Sequence, residues 1–200
     1  YGTAGTPTIK NLEQAWSALA GAEGTVLSPS GLGAIVLALL TTLKTGDHLL
    51  MPDSVYRPTR NFCRGLLNKM GITTTYYDPM IGENIEALVQ ENTSTIFLES
   101  PGSQSFEIQD VPAIVAVAKR HNIATIIDNT WATPLFFRAH DFGCDISLEA
   151  GTKYLGGHSD LLMGIVSANK AWWPKLRETY DYMAMLPGAE DCFLALRGLR

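Results

Sequence analysis

Four places in this sequence hold residues that could act together on one ligand. Ser28-Pro29-Ser30-Gly31-Leu32-Gly33 leads from a short apolar run into a longer one. If the second run is a helix, its first backbone N–H groups are free, and the small residues let an anion approach them. An ordinary glycine turn would look the same. Asp128 closes the run Ile123-Ala124-Thr125-Ile126-Ile127. A carboxylate there can keep a protonated ring nitrogen charged, because an opposite charge at close range favours the ionised form. A solvated turn aspartate or a helix cap is the equal alternative. Lys153, in Ala150-Gly151-Thr152-Lys153-Tyr154, follows an apolar segment. Beside a cavity its amine could lose water and attack a carbonyl, whereas a solvated surface lysine is the commoner case. Tyr56 could stack on a flat ligand or simply sit at a rim. Together a phosphate cradle, an aspartate, a lysine and an aromatic suit a flat aldehyde with a phosphate and a basic ring nitrogen. Pyridoxal 5'-phosphate (PLP) is such a molecule.

The elements that would position these groups follow from periodicity. Gly24–Ser28 reads as a strand, and the run from Gly31 as a helix closed near Lys44 by the turn Thr45-Gly46-Asp47. His48–Pro52 is a second strand. Thr59 to Met70 carries Phe62, Leu66, Leu67 and Met70 at helical spacing, with Gly71 beyond its end. Ile72–Tyr77, β-branched and aromatic, is a third strand. A shorter helix is expected from about Ile85 to Val89. Thr95–Ser100 is a fourth strand. Asp110 caps a helix with Pro112 in its first turn. Ile123–Asn129 and Cys144–Ala150 are the fifth and sixth strands. This alternation predicts an α/β fold with a mostly parallel sheet and helices on both faces. Such sheets bind ligands at the carboxyl ends of their strands, where all four places fall.

Composition removes other readings. The net charge is −5 and the basic residues are scattered, so no patch could neutralise a run of phosphates, and nucleic-acid binding is not expected. The longest apolar run, Ala34–Leu40, is too short to span a bilayer, so no membrane partner is expected. Cys63, Cys144 and Cys192 are odd in number and far apart, which predicts neither a disulfide framework nor a metal site and favours a reducing, cytoplasmic setting. A dinucleotide fingerprint fails because Val36 stands where a third small residue is required, and no Walker-type lysine follows Gly33.

The chain also resembles the Cys/Met-metabolism PLP enzymes of fold type I, with the large domain of the aspartate-aminotransferase-like fold. The motifs that carry the resemblance are YGTAGTPT, SPSGLGAI, GDHLLMPDSVYRPT, FLESPGS, IIDNTWATP, EAGTKYLGGHSD and LRGLR. Asp-Asn-Thr-Trp at 128–131 and Glu-Ser-Pro-Gly-Ser at 99–103 look more like the cystathionine β-lyase branch than the γ-synthase and γ-lyase branches. The resemblance implies that Lys153 attaches PLP and acts as a base, with Tyr56 stacking on the ring and assisting proton traffic. It implies that Asp128 pairs with the ring nitrogen, and that Gly31, Leu32 and the Thr152 hydroxyl hold the phosphate. Tyr1 would reach a neighbouring subunit's phosphate, which implies a homo-oligomer, a dimer of dimers in the family pattern. The implied reaction is β-elimination from a small amino acid, L-cystathionine, giving homocysteine, pyruvate and ammonia, a step of transsulfuration and methionine biosynthesis. A cysteine or cystine desulfhydrase and a cystathionine γ-lyase are the alternatives on the same scaffold, and a non-catalytic PLP-binding module is the alternative outside enzymes. Three departures from the pattern stand out. Thr3 replaces an arginine that binds phosphate in many relatives, and Ala150 replaces a serine. The pattern also continues beyond Arg200, so residues 1–200 are expected to be a large domain without its N-terminal arm and C-terminal small domain.

Overall fold

The computed structural model describes residues 5–200 as a seven-stranded sheet covered by helices. The strands are β1 Gly24–Ser28, β2 His48–Pro52, β3 Thr73–Tyr77, β4 Thr93–Glu99, β5 Ala124–Asp128, β6 Ile146–Glu149 and β7 Gly164–Ala168. Their order across the sheet is β1-β7-β6-β5-β4-β2-β3. The pairs β2–β3, β2–β4, β4–β5 and β5–β6 are parallel, while β7 is antiparallel to both its neighbours. Because β7 alone is reversed, the carboxyl ends of the other strands open on one edge.

Every residue of β1, β2, β5, β6 and β7 is buried, as expected of strands covered on both faces. One face packs under α2 (Gly31–Thr42) and α6 (Trp173–Met183), the latter following the short α5 (Thr133–Phe136) in the chain, with Val26, Leu49, Met51, Phe97, Ile126 and Leu148 facing α2 residues such as Ile35 and Leu39. The other face packs under α4 (Val111–Arg120) at one end, through Ile96, Leu98 and Ile127. At its other end α1 (Pro7–Ala20) and α7 (Ala189–Gly198) cover Leu27 and Ile165. Asp110 caps α4 by accepting from Ala113 N–H at 3.1 Å, with Pro112 in the first turn, as the sequence predicts.

The structure corrects three local expectations. The helix expected over 59–70 starts earlier, as α3 (Arg57–Phe62), and then widens into a π-turn over Cys63–Leu67. Pro58 fits the first turn of α3, and Gly65 lies inside the widened turn. The helix expected near 85–89 is a 3₁₀ segment, Gly82–Leu88, in which only Ile85 is buried, too little apolar face for a regular helix. The strand β7 was not expected. Its partner β1 consequently lies at the sheet edge rather than beside a parallel neighbour. Among the described residues no helix is long and apolar enough to cross a membrane, and no cluster of side chains has metal-ligand spacing. Cys63, Cys144 and Cys192 are buried free thiols.

Candidate cofactor site

The turn from β1 into α2 builds the first wall. Ser30 caps α2: its Oγ accepts from Gly33 N–H at 3.0 Å, and its carbonyl accepts from Ala34 N–H at 3.0 Å. That leaves the Gly31 and Leu32 N–H groups, at the first two helical positions, with no acceptor among the described residues. The turn is held close to the sheet. A Cβ on Gly31 would stand 2.9 Å from Ala150 Cβ, and one on Gly164 would stand 2.2 Å from the Ser30 carbonyl. Glycine at both positions therefore lets α2 present its free amides directly over the ends of β6 and β7.

Asp128 is the last residue of β5 and is 8% exposed. Its Oδ1 accepts from the Thr130 N–H at 3.0 Å and the Thr130 hydroxyl at 2.6 Å. The same hydroxyl accepts from Ala150 N–H at 2.9 Å, so Thr130 ties the end of β5 to the loop after β6. Burial pushes the Asp128 carboxyl above its ordinary range, and the Thr130 donors pull it back. No ion pair among the described residues reaches Asp128. A buried carboxylate without a countercharge fits a cationic partner arriving from the cavity.

Gly31, Leu32, Tyr56, Asp128, Thr152 and Lys153 all line one open cavity of about 1050 Å³ at the carboxyl edge of the sheet. That volume accommodates a cofactor together with a small substrate. Tyr56, 44% exposed, stands at the rim as the cap of α3. Lys153 follows β6 in a turn in which its N–H donates to Ala150 O at 2.9 Å. Its side chain is exposed, so the burial anticipated for its amine is not supplied by the described residues. Thr152 lines the cavity with its hydroxyl already engaged. Its hydroxyl donates to Met163 O at 3.1 Å and accepts from Met163 N–H at 3.0 Å, so it braces the loop against the segment before β7. To hold a phosphate it would have to release the Met163 carbonyl. Tyr1 and Thr3 lie outside the described residues.

Several wall residues entered the sequence reading only within family motifs and were given no role in the site. Glu99, at the end of β4, lines the cavity, and its Oε2 accepts from Tyr56 N–H at 2.9 Å. It carries the same signal as Asp128, an acid closing an apolar run. Thr130 was legible only as the hydroxyl two residues after an aspartate, a common turn pairing. Trp131 lies edge-on to Phe106, with centroids 5.2 Å apart, and 6.1 Å from Tyr154, forming an aromatic margin at the mouth. Behind the wall Glu149 is 2% exposed and accepts from the Ser147 hydroxyl at 2.9 Å and the Trp16 indole at 3.3 Å. Burial pushes its carboxyl up to about 8.

Paired free amides at a helix start, an unpaired buried carboxylate, an amine and a rim tyrosine fit the phosphate, ring nitrogen, aldehyde and flat ring of PLP. Comparison with known proteins points the same way. The chain matches the family described as "Cys/Met metabolism PLP-dependent enzyme" over residues 1–200. It is 70% identical over 200 residues to a Saccharomyces cerevisiae protein named "Putative cystathionine beta-lyase", covering 100% of this chain and 59% of that protein. It is 44% identical over 202 residues to a cystathionine β-lyase of Escherichia coli, covering 100% of this chain and 51% of that protein. A crystal structure of cystathionine γ-lyase from Lactobacillus plantarum complexed with L-serine superposes with a TM-score of 0.96 at 30% identity, over 100% of this chain and 52% of that one. The chain thus spans about half the length of the relatives it matches.

Proposed function

The chain belongs to the Cys/Met metabolism PLP-dependent enzyme family, and from that membership we propose that the whole protein cleaves the β-carbon–sulfur bond of L-cystathionine. The observation that carries the reading is the convergence of Lys153, Asp128, Tyr56 and the free Gly31 and Leu32 amides on one cavity. PLP, when bound, supplies an aldehyde for attachment and an electron sink for a deprotonated α-carbon. The Gly31 and Leu32 N–H groups, aided by the α2 dipole, hold the phosphate. Asp128, fixed by Thr130, would hold the proton on the ring nitrogen. Tyr56, on the cavity wall, would lie against the ring and assist proton transfer. Lys153 Nζ would hold the cofactor at rest and, when free, would take the proton from the substrate Cα. The sulfur, leaving Cβ, would take a proton to become homocysteine, and water would convert the remaining three-carbon fragment to pyruvate and ammonia.

Elimination at Cβ asks Lys153 for one proton removal, at Cα. Elimination at Cγ also needs a proton taken from Cβ, so the amine must reach a second carbon. Trp131 and Ser103, both on the cavity wall, match the β-lyase branch. We propose a homo-oligomer and a cytoplasmic setting on the same family grounds, the latter supported by three buried free thiols. The test is the keto acid released from cystathionine by the full-length protein, identified by mass. Pyruvate is expected; 2-oxobutyrate as the main product would overturn the β assignment.

A further inference from the structure

The cavity wall holds a second carboxyl group beside that of Asp128. Glu99 ends β4 as Asp128 ends β5, and the two are register partners in the parallel ladder. Register partners project from the same face of a sheet, so the two carboxyl groups stand side by side. They are 5% and 8% exposed, and both line the cavity. Glu99 is held firmly. Its N–H donates to Gln109 Oε1 at 2.9 Å, and Gln109 Nε2 donates to the Tyr77 hydroxyl at 3.1 Å. Its Oε2 accepts the backbone N–H of Tyr56 at 2.9 Å. The other titratable side chains on the cavity wall are Tyr56, Lys153, Tyr154 and His158, and none forms an ion pair with Glu99 among the described residues.

Two adjacent carboxyl groups in a poorly solvated wall do not both ionise for a single cation. The donors decide which one does. Asp128 receives two, both from Thr130, whereas Glu99 receives one. Burial and the neighbouring Asp128 push Glu99 up to about 9, in the same direction. We propose that Glu99 is a positioning residue of the cofactor site. It carries the proton of the Glu99–Asp128 pair, so the pair presents one negative charge, at Asp128, while its Oε2 fixes the Tyr56 backbone at the rim. The inference rests on the PLP reading above.

The full-length PLP-loaded protein and its Glu99→Gln and Glu99→Ala variants test it. Glutamine stays neutral and keeps an acceptor for Tyr56 N–H; alanine removes that acceptor. The readouts are the PLP dissociation constant, the dichroism of the bound cofactor's visible band, and the protons exchanged on PLP binding. The last is measured by calorimetry in two buffers of different ionisation heat. Glu99→Gln should bind PLP within about threefold of the parent and exchange the same number of protons. Glu99→Ala should weaken binding about tenfold or more and alter the dichroism, because Tyr56 loses its anchor. A change of about one proton in Glu99→Gln, or binding weakened about tenfold, would show that Glu99 carries a charge and overturn the proposal. Parent-like binding and dichroism in Glu99→Ala would overturn the positioning half. A parent protein that takes up no PLP would instead sink the cofactor reading, and this inference with it.

Discussion

The Thr130 hydroxyl donates to Asp128 Oδ1 at 2.6 Å and accepts from Ala150 N–H at 2.9 Å, bonding the β5 carboxylate to the loop that bears Lys153. A single side chain thereby sets the distance between the group that would hold the ring and the group that would attach it. Thr130→Val keeps the shape and removes both bonds. A hydrogen bond to a charged group contributes about 1.5–3 kcal/mol, so PLP affinity should fall roughly tenfold to a hundredfold. Thr130→Ser should recover most of it. Equilibrium titration of PLP fluorescence or absorbance measures both, and parent-like affinity in Thr130→Val would show the bridge to be idle.

Asp128→Asn keeps the volume and the Thr130 contacts but removes the negative charge. The ring nitrogen would lose its proton, and turnover should fall by about two orders of magnitude or more. The fold should persist, because a buried carboxylate without a countercharge costs stability rather than supplying it. Steady-state kinetics and urea unfolding on the same preparation separate the two effects. Near-normal turnover would reduce Asp128 to a turn residue.

Buried acids also set the pH dependence of stability. Glu149 is raised to about 8 and Glu99 to about 9 in the folded chain. From about pH 4.5, where an unfolded glutamate titrates, up to these values, the folded state holds protons that the unfolded state has released. Stability should therefore fall as pH rises through that window, by about 1.4 kcal/mol per pH unit for each such proton. Urea midpoints of the cofactor-free full-length protein between about pH 5 and 7.5 should decline. Glu149→Gln, which keeps an acceptor for Trp16 without a titrating proton, should decline less steeply. Equal slopes in the two proteins would contradict the assignment.

Much of the cavity wall was legible from sequence because its signals are local. A capping serine followed by glycine before an apolar run marks a helix start, and an acid closing an apolar run marks a strand end. Such signals put Gly31, Asp128, Thr152 and Lys153 on a common edge of the sheet, where the cavity lies. What escaped depends on contacts distant in sequence. Glu99 meets the Tyr56 backbone across 43 residues, and no local pattern pairs them. The Thr152 hydroxyl is taken by Met163, 11 residues on, through a loop without periodicity. β7 is a five-residue apolar run after that loop, and only its pairing with β1 and β6 reveals its reversed direction. The π-turn at Cys63–Leu67 retains helical spacing of apolar residues, so periodicity could not separate it from an α-helix.

Attachment of PLP to Lys153 is the feature on which the proposed function depends most. It is tested by reducing the PLP-loaded full-length protein with borohydride, digesting it, and locating the pyridoxyl mass by tandem mass spectrometry. The account predicts one stoichiometric label, on the peptide containing Thr152-Lys153-Tyr154, and none there in Lys153→Ala, which should also lose the visible absorption of the bound cofactor. A label on another lysine, or a Lys153→Ala variant that keeps both the label and the absorption, would contradict it.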